Sequence, residues 1–559
     1  MDPRRNKDLD QKNYILAIVV AMGALLGFEY IFPAPVPQKE TVPVEISVPV
    51  ADAAAATTST LPAAPQQMLT GNTMQQTGME SEVSTKRVML QNDVFLGSVA
   101  TAGGRVDELT LLDTATEEHG DLSLFSPSGD HVHFFDAGWQ SASVPVPTGN
   151  TNWQAPVQQL TVNAPLTLSW DNMNGQTFTR TFTLQEDRYT IAVTDQVINN
   201  SDMPVVLAHY AQVHKADGSN AGGSAIMGFD PEMSTFFNFI GPLAYFDGIK
   251  TEVDYEDLEE SSHKVKGTKG WVGITSRYFM AALVPDQEDE KSVQFKHSKV
   301  QDRDFYSVIL QTSPTTLPAR GVITESYRLY AGPKHIEGLA LEEVELEEAV
   351  DFGWFHGIAI LLYKAVMFFY GIVGNLGVAV ILATFVLKFL LLPLGNKSYR
   401  AMAVMKKIQP RMMQLKEQYG DQREKFSMEM MALYREHKVN PMSGCWPMLI
   451  QIPIFFAFYK VILIAYPFRS APFYGWIEDL SVMDPYFVLP VIMGLTMIVQ
   501  QKLNPPAADP MQQKVMQFLP YIFTIMFAFF PAGLLLYWIT NNVLSVAQQW
   551  YILNKISKE

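Results

Sequence analysis

Thr384 and Lys388 stand four residues apart inside GNLGVAVILATFVLKFLLLPL, a run otherwise apolar except for Asn375. At that spacing a hydroxyl and an ammonium share one face of a helix. An ammonium in the middle of a membrane span costs about 2.5–3.5 kcal/mol on insertion scales, so it marks a pathway or a site by default. The chemistry it offers is attraction of anionic or strongly hydrated groups, not bond making. A second reading is anatomical. Lys388 precedes Pro393 by five residues, and its stem is long enough to carry the charge to the headgroups. The residues alone leave the two readings even.

Further uncharged polar side chains are scattered over the later apolar runs: Gln451, Tyr459, Thr496, Gln500, Tyr537, Trp538 and Thr540. They suit convergence on one wet cavity with Lys388, and equally suit plain hydrogen bonding between helices. Bond-making signatures are missing. The chain has no HExxH, GxSxG or GxxxxGK[ST], so zinc proteolysis, a nucleophile-elbow hydrolase and a P-loop motor lack support. No apolar span carries the carboxylate pair that intramembrane proteolysis or proton coupling needs. His131, His133, His209 and His214 lack Cys or carboxylate partners at ligand spacing and read as surface or core histidines rather than metal ligands. No metal, cofactor or catalytic residue is expected.

The elements that must position these residues follow from composition. The chain of 559 residues is 48% hydrophobic with net charge −16. That charge is uneven: residues 33–350 hold 19 Lys+Arg against 42 Asp+Glu, while 395–443 hold 10 against 5. Such asymmetry suggests two compartments, with the basic segment inside. The single Cys445 excludes an intrachain disulfide. Residues 1–13 read as a cytoplasmic N-terminus and 14–32 as an uncleaved signal anchor. The Pro/Ala/Thr-rich stretch 33–84 reads as a disordered linker. Residues 85–335 alternate in short runs, most clearly TFTRTFTL (177–184) and YTIAVTDQVI (189–198), which predicts a β-sandwich. The acidic stretch 337–350 predicts a helix leading back to the membrane. Residues 352–372 are assigned to an interfacial helix, because two consecutive spans would put the basic segment outside.

Residues 373–394 then form the span that holds Lys388. Four more spans fill 444–552, and 553–559 is a short cytoplasmic tail, which makes six spans with both termini inside. Between them, 395–443 predicts a helical hairpin. Met405, Ile408, Met412, Leu415 and Tyr419 step by 3, 4, 3, 4, and Phe426, Met430, Leu433 and His437 by 4, 3, 4, the rhythm of two packed seams. Pro410 is expected to kink the first arm. Off-seam methionines, among them Met402 and Met413, offer a compliant surface for apolar segments. Arg400, Lys406 and Lys407 supply a basic face for anionic lipid or ribosomal RNA.

The stretches ATFVLKFLLLPL (383–394), EMMALYREHKVNPMSGCWPMLIQIPIFFAFY (429–459), DPYFVLPVIMG (484–494) and DPMQQKVMQFLPYIFTIMFAFFPAGLLLYW (509–538) closely resemble the YidC membrane-protein insertase family, in its bacterial form with a large periplasmic domain. The resemblance covers essentially the whole chain. It implies a multi-domain membrane protein of the bacterial inner membrane: an α-helical polytopic bundle with a five-helix core, a periplasmic all-β supersandwich and a cytosolic helical hairpin. It implies a hydrophilic groove closed toward the periplasm, and insertion of nascent integral membrane proteins, alone or with the Sec translocon. The family usually has arginine at the position of Lys388, and lysine keeps the charge without the planar fork. Thr384, Gln451 and Tyr537 match polar or aromatic groove positions. With the short tail NKISKE, any ribosome contact is expected to fall to 395–443 and 502–514. The lipid bilayer is a partner, and no small-molecule substrate is expected. The rival readings are a polytopic transporter or a structural scaffold with a periplasmic ligand-binding β-domain. A sugar-binding or sugar-isomerising role for that domain rests on its sandwich class alone.

Overall fold

The computed structural model describes residues 86–112, 122–128, 132–186, 188–216, 239–300, 303–419, 422–437, 446–504 and 510–558. The expected signal anchor, the linker and His131 lie outside the described residues. The chain divides into a β unit ending at Val350 and a helical unit that takes up residues 351–559.

Alternation in the β unit produces what it predicts. Gln176–Leu184 and Thr190–Asn199 pair antiparallel, with every second side chain of the first strand buried. They belong to an eight-stranded sheet that also holds Phe279–Pro285 and Val322–Pro333. An eleven-stranded sheet carries His133–Gln140, Val205–Ala216 and Arg303–Gln311. The core between the sheets is apolar, with Phe178, Phe182, Val193 and Leu329 fully or almost fully buried. Arg180 lies in phase with those phenylalanines and is itself buried. It stands opposite Asp195 in register and donates to its carboxylate through Nε at 2.7 Å and Nη2 at 3.1 Å. Asp195 also takes His209 Nε2 from the other sheet at 2.7 Å and the Tyr327 hydroxyl at 2.9 Å. Burial alone would raise the Asp195 carboxyl, but Arg180 and then His209 hold it well below the usual carboxylate range. His214 is likewise a core histidine, with Nδ1 2.7 Å from Ser307 Oγ.

The acidic stretch departs from expectation. Instead of one helix, residues 336–350 form a short helix Ile336–Ala340 and a 3₁₀ turn Leu346–Ala349. Glu343 and Glu345 between them adopt left-handed backbone, φ 58° and 55°. Crowded like charges oppose a continuous helix, while burial of Leu339, Leu346 and Val350 folds the segment back on itself.

Among the described residues the helical unit has eight α-helices: α1 His356–Val373, α2 Leu376–Leu390, α3 Leu392–Tyr419, α4 Arg423–Glu436, α5 Trp446–Ile464, α6 Val488–Leu503, α7 Pro510–Phe527 and α8 Ala532–Lys558. Gly353–Val373 is the described stretch long and apolar enough to cross a membrane by itself. The interfacial assignment of 352–372 therefore rests on charge topology and not on composition. α2 and α3 meet that test only together, bent by 66°. The expected helix 373–394 thus stops at Leu390, and Pro393 opens α3 rather than closing a span, since proline is tolerated in a first helical turn. α3 runs on through Pro410 to Tyr419. α8 continues past Ile552 to Lys558, so most of the expected tail is helix.

α1 packs on α2 and α5, and α8 packs on α2, α3 and α6. Asn375 caps α2, its Oδ1 accepting from Val378 N at 3.0 Å while Nδ2 donates to Phe473 O at 3.2 Å. Gly377 lies against the Phe473 ring, where a Cβ would come within 2.2 Å. Asp484, fully buried, accepts from Leu489 N, Tyr486 N and Trp476 Nε1 at 2.7, 3.0 and 2.9 Å. Ala532 N and Gly533 N donate to Val482 O and Leu480 O. One end of the bundle is thereby closed by backbone pairing around the 471–484 connection.

Candidate functional site

α8 supplies the frame. Tyr537, Asn541, Ser545 and Gln548 step by 4, 4, 3 along it, so they form one polar row, with Asn542 and Gln549 on the neighbouring row. α2 and α6 both pack on this helix.

Lys388 projects from the last turn of α2 toward α8. Its Nζ donates to Ser545 Oγ at 2.6 Å and to Asn541 Oδ1 at 3.3 Å. The side chain is half-buried, and among the described residues both of these partners are uncharged. Ser545 is buried and donates in turn to Asn541 O at 2.7 Å. Among the described residues the ammonium is therefore held by protein dipoles, with no carboxylate paired to it.

The other polar residues form separate pairs along the same helix. Thr496 on α6 accepts from Asn542 Nδ2 at 3.0 Å and donates to Met493 O at 2.6 Å. Gln500, one turn on, is half-buried. Gln451 on α5 donates through Nε2 to the Tyr537 hydroxyl. Tyr537 is fully buried and stacks on Phe458 at 4.4 Å. Trp538 meets Phe455 edge-on at 5.0 Å and Phe527 at 5.1 Å, and its Nε1 is buried with no hydrogen-bond partner among the described residues. Thr384 is buried, and its hydroxyl turns back to Val380 O of its own helix at 2.7 Å. It shares a face with Lys388 without joining the ammonium's hydrogen bonds.

Lys388 is thus legible in the sequence, but its partners Ser545 and Asn541 are not. Gln548 and Gln549 were missed as well. The regular return of Asn541, Ser545 and Gln548 in an otherwise apolar helix was the available signal.

α3 and α4 bury only part of the expected seam. Ile408, Met430 and Leu433 are buried, Met405, Met412, Leu415, Tyr419 and Phe426 half-buried, and His437 exposed. Away from the seam Met413, Met428 and Met431 are 58%, 65% and 48% exposed, and Met402 is half-buried. Arg400, Lys406 and Lys407 are exposed. Among the described residues no group of three His, Cys, Asp or Glu side chains is placed to hold a metal ion.

What this arrangement can do is bind polar groups beside an apolar surface. A family model described as 60Kd inner membrane protein matches residues 368–559, and one described as YidC periplasmic domain matches 87–365. A membrane protein insertase YidC from Magnetococcus marinus is 37% identical over 98% of this chain and 99% of its own. One from Granulibacter bethesdensis is 35% identical over 97% and 98%. A crystal structure of an active YidC insertase covers 84% of this chain and 93% of its own, with TM-score 0.37 and 15% identity. With near-complete coverage by relatives above 30% identity and both halves matched by the family's models, the chain belongs to the YidC family of membrane protein insertases.

Proposed function

We propose that this chain inserts nascent integral membrane proteins by lowering the cost of moving a hydrophilic flank into the bilayer, with Lys388 as the attracting charge. The observation that carries this is the Lys388 ammonium, half-buried and bonded to the uncharged Asn541 and Ser545. A cation with only dipolar partners keeps its attraction for an incoming carboxylate or hydrated backbone. Drawing a flank partway in shortens the path over which it must be desolvated. The apolar part of the substrate then moves into lipid under its own transfer free energy, about 25 cal/mol per Å². No covalent step is involved, and no cofactor is called for.

In this reading the polar pairs Thr496–Asn542 and Gln451–Tyr537 line the route, with Gln500 and Trp538 beside it and Thr384 supporting the Lys388 face. The basic hairpin and the exposed methionines Met413, Met428 and Met431 face the cytosol. They meet lipid headgroups and the apolar stretch of an arriving chain, and Met402, Arg400, Lys406 and Lys407 belong to the same surface. The end closed around residues 471–484 faces the periplasm, as does the acidic β unit. α1 is read as an interfacial helix on the outer leaflet, and with the signal anchor the spans number six, both termini inside. The chain works alone or with the Sec translocon, as the family resemblance implies. Ribosome contact is confined to the basic loops.

A transporter would require coupling carboxylates near the polar row. Asp484 is spent on capping α6 at the closed end, which favours the insertase reading. The test is insertion of a small single-span substrate by Lys388 variants in cells depleted of their own insertase.

A further inference from the structure

α6 braces α7 on both sides of a proline. Pro520 lies inside α7. A proline has no amide to give to the carbonyl four residues back, and its ring pushes that carbonyl out of the helical ladder. In α7 this carbonyl belongs to Met516, and Gln501 Nε2 of α6 donates to it. A neighbouring helix thus supplies the donor that the proline lacks, as a helix in lipid requires. The carbonyl of Pro520 itself accepts from the Thr524 hydroxyl at 2.7 Å. Opposite Thr524 stands Gly494, where a Cβ would lie 2.0 Å from Thr524 Oγ1, so a glycine admits the approach. Gly494 and Gln501 fall two turns apart on one face of α6, as Thr524 and Met516 do on α7. The two contacts form one antiparallel seam with Pro520 between them. Thr496, which takes Asn542 of the polar row, lies on the other face of α6.

The two halves of α7 differ in what holds them. After the proline, Phe527 is buried against Phe455 of α5 and Trp538 of α8. Before it, Gln513, Lys514, Met516, Gln517 and Phe518 are exposed, and the bond from Gln501 ties this half to the bundle. We propose that Gln501 is a positioning residue for insertion: by standing in for the amide that Pro520 lacks, it fixes the first half of α7 to α6, and through Thr496 to the polar row of α8. Gln501 touches no substrate in this account. It sets where one wall of the route stands, so the functional part rests on the insertase reading.

Two measurements on the full-length chain test it. The first is hydrogen exchange of the purified protein in detergent. Gln501→Met keeps the length of the side chain and removes the donor. It is expected to speed exchange of residues 514–519 about three- to tenfold, the population change that one net hydrogen bond supplies, and to leave 521–527 unchanged. In a Pro520→Ala background the restored amide takes the Met516 carbonyl, and Gln501→Met is expected to change exchange there by less than about twofold. Equal effects in the two backgrounds would show packing rather than a replaced amide and overturn the proposal, as would unchanged exchange in Gln501→Met alone. The second measurement is insertion of a single-span substrate in insertase-depleted cells. Gln501→Met is expected to insert about three- to tenfold less at normal abundance, and the Pro520→Ala, Gln501→Met double variant as much as Pro520→Ala alone. Full insertion by Gln501→Met despite faster exchange would overturn the positioning role and leave the reading of Lys388 untouched. Failure of the wild-type chain itself to restore insertion would instead remove the insertase reading and the functional part with it, and the exchange experiment would still decide the brace.

Discussion

At the scale of single residues, the site is a set of polar pairs whose worth depends on both members being present. Gln451 and Tyr537 are the clearest pair, a side-chain amide donating to a buried phenol. Tyr537→Phe should cost about 1–3 kcal/mol, because Gln451 is left without its partner, whereas adding Gln451→Leu should recover part of that loss. A double-mutant cycle on thermal stability in detergent reads the difference, and strict additivity would show that the bond contributes nothing. Thr384 is the contrasting case. Its hydroxyl serves its own helix at Val380 O, so Thr384→Val should change stability by less than about 1 kcal/mol and leave insertion intact. A large insertion defect would mean that the hydroxyl meets substrate. In the β unit, Asp195→Ala should be far more damaging, about 3–5 kcal/mol, since Arg180 would remain buried without its counter-ion. Loss of folded protein in that variant, with Asp202→Ala at an exposed ion pair unaffected, is the expected outcome.

At the scale of elements, caps and bends decide where helices begin and stop, and these were the least legible features. The alternation of residues 177–184 and the 3, 4 rhythm of the hairpin arms were readable because burial on one face imposes a period. Arg180 sits in that period, yet its partner Asp195 lies on the next strand, and the pairing depends on a register that spacing does not contain. The same limit hid Ser545 from Lys388: which faces of α2 and α8 meet is a tertiary fact. The acidic stretch breaks where its glutamates crowd one another and Glu343 and Glu345 turn left-handed, a local strain that composition does not reveal. Asp484 gives the sharpest element-scale expectation. Asp484→Ala removes three hydrogen bonds to a buried carboxylate at the start of α6 and should cost at least about 2 kcal/mol. Faster hydrogen exchange confined to residues 476–491 would be its signature, and unchanged exchange there would contradict the capping role.

At the scale of the whole molecule, the two units respond to different variables. Burial, followed by the nearby Arg105 and Lys296 charges, lowers His214 to about 3 from its ordinary 6.5. The unfolded chain therefore binds a proton that the folded β unit refuses. Stability contributed by the neutral ring is complete above about pH 6.5 and falls on acidification toward pH 3, by up to about 1.4 kcal/mol per pH unit. Hydrogen exchange of the strand Val205–Ala216 in the intact chain should accelerate through that window, and His214→Phe should reduce the dependence, part of which His133, lowered likewise by burial, retains. In the proposed reading the helical unit responds instead to charge at one position, Lys388.

The most direct measurement is complementation in insertase-depleted cells with wild type, Lys388→Arg, Lys388→Ala and Lys388→Glu, scored by protease protection of a single-span substrate with an acidic translocated flank. Arginine should support insertion, and alanine and glutamate should fail at normal abundance, glutamate most completely. Full activity of Lys388→Glu would contradict the electrostatic account at its centre.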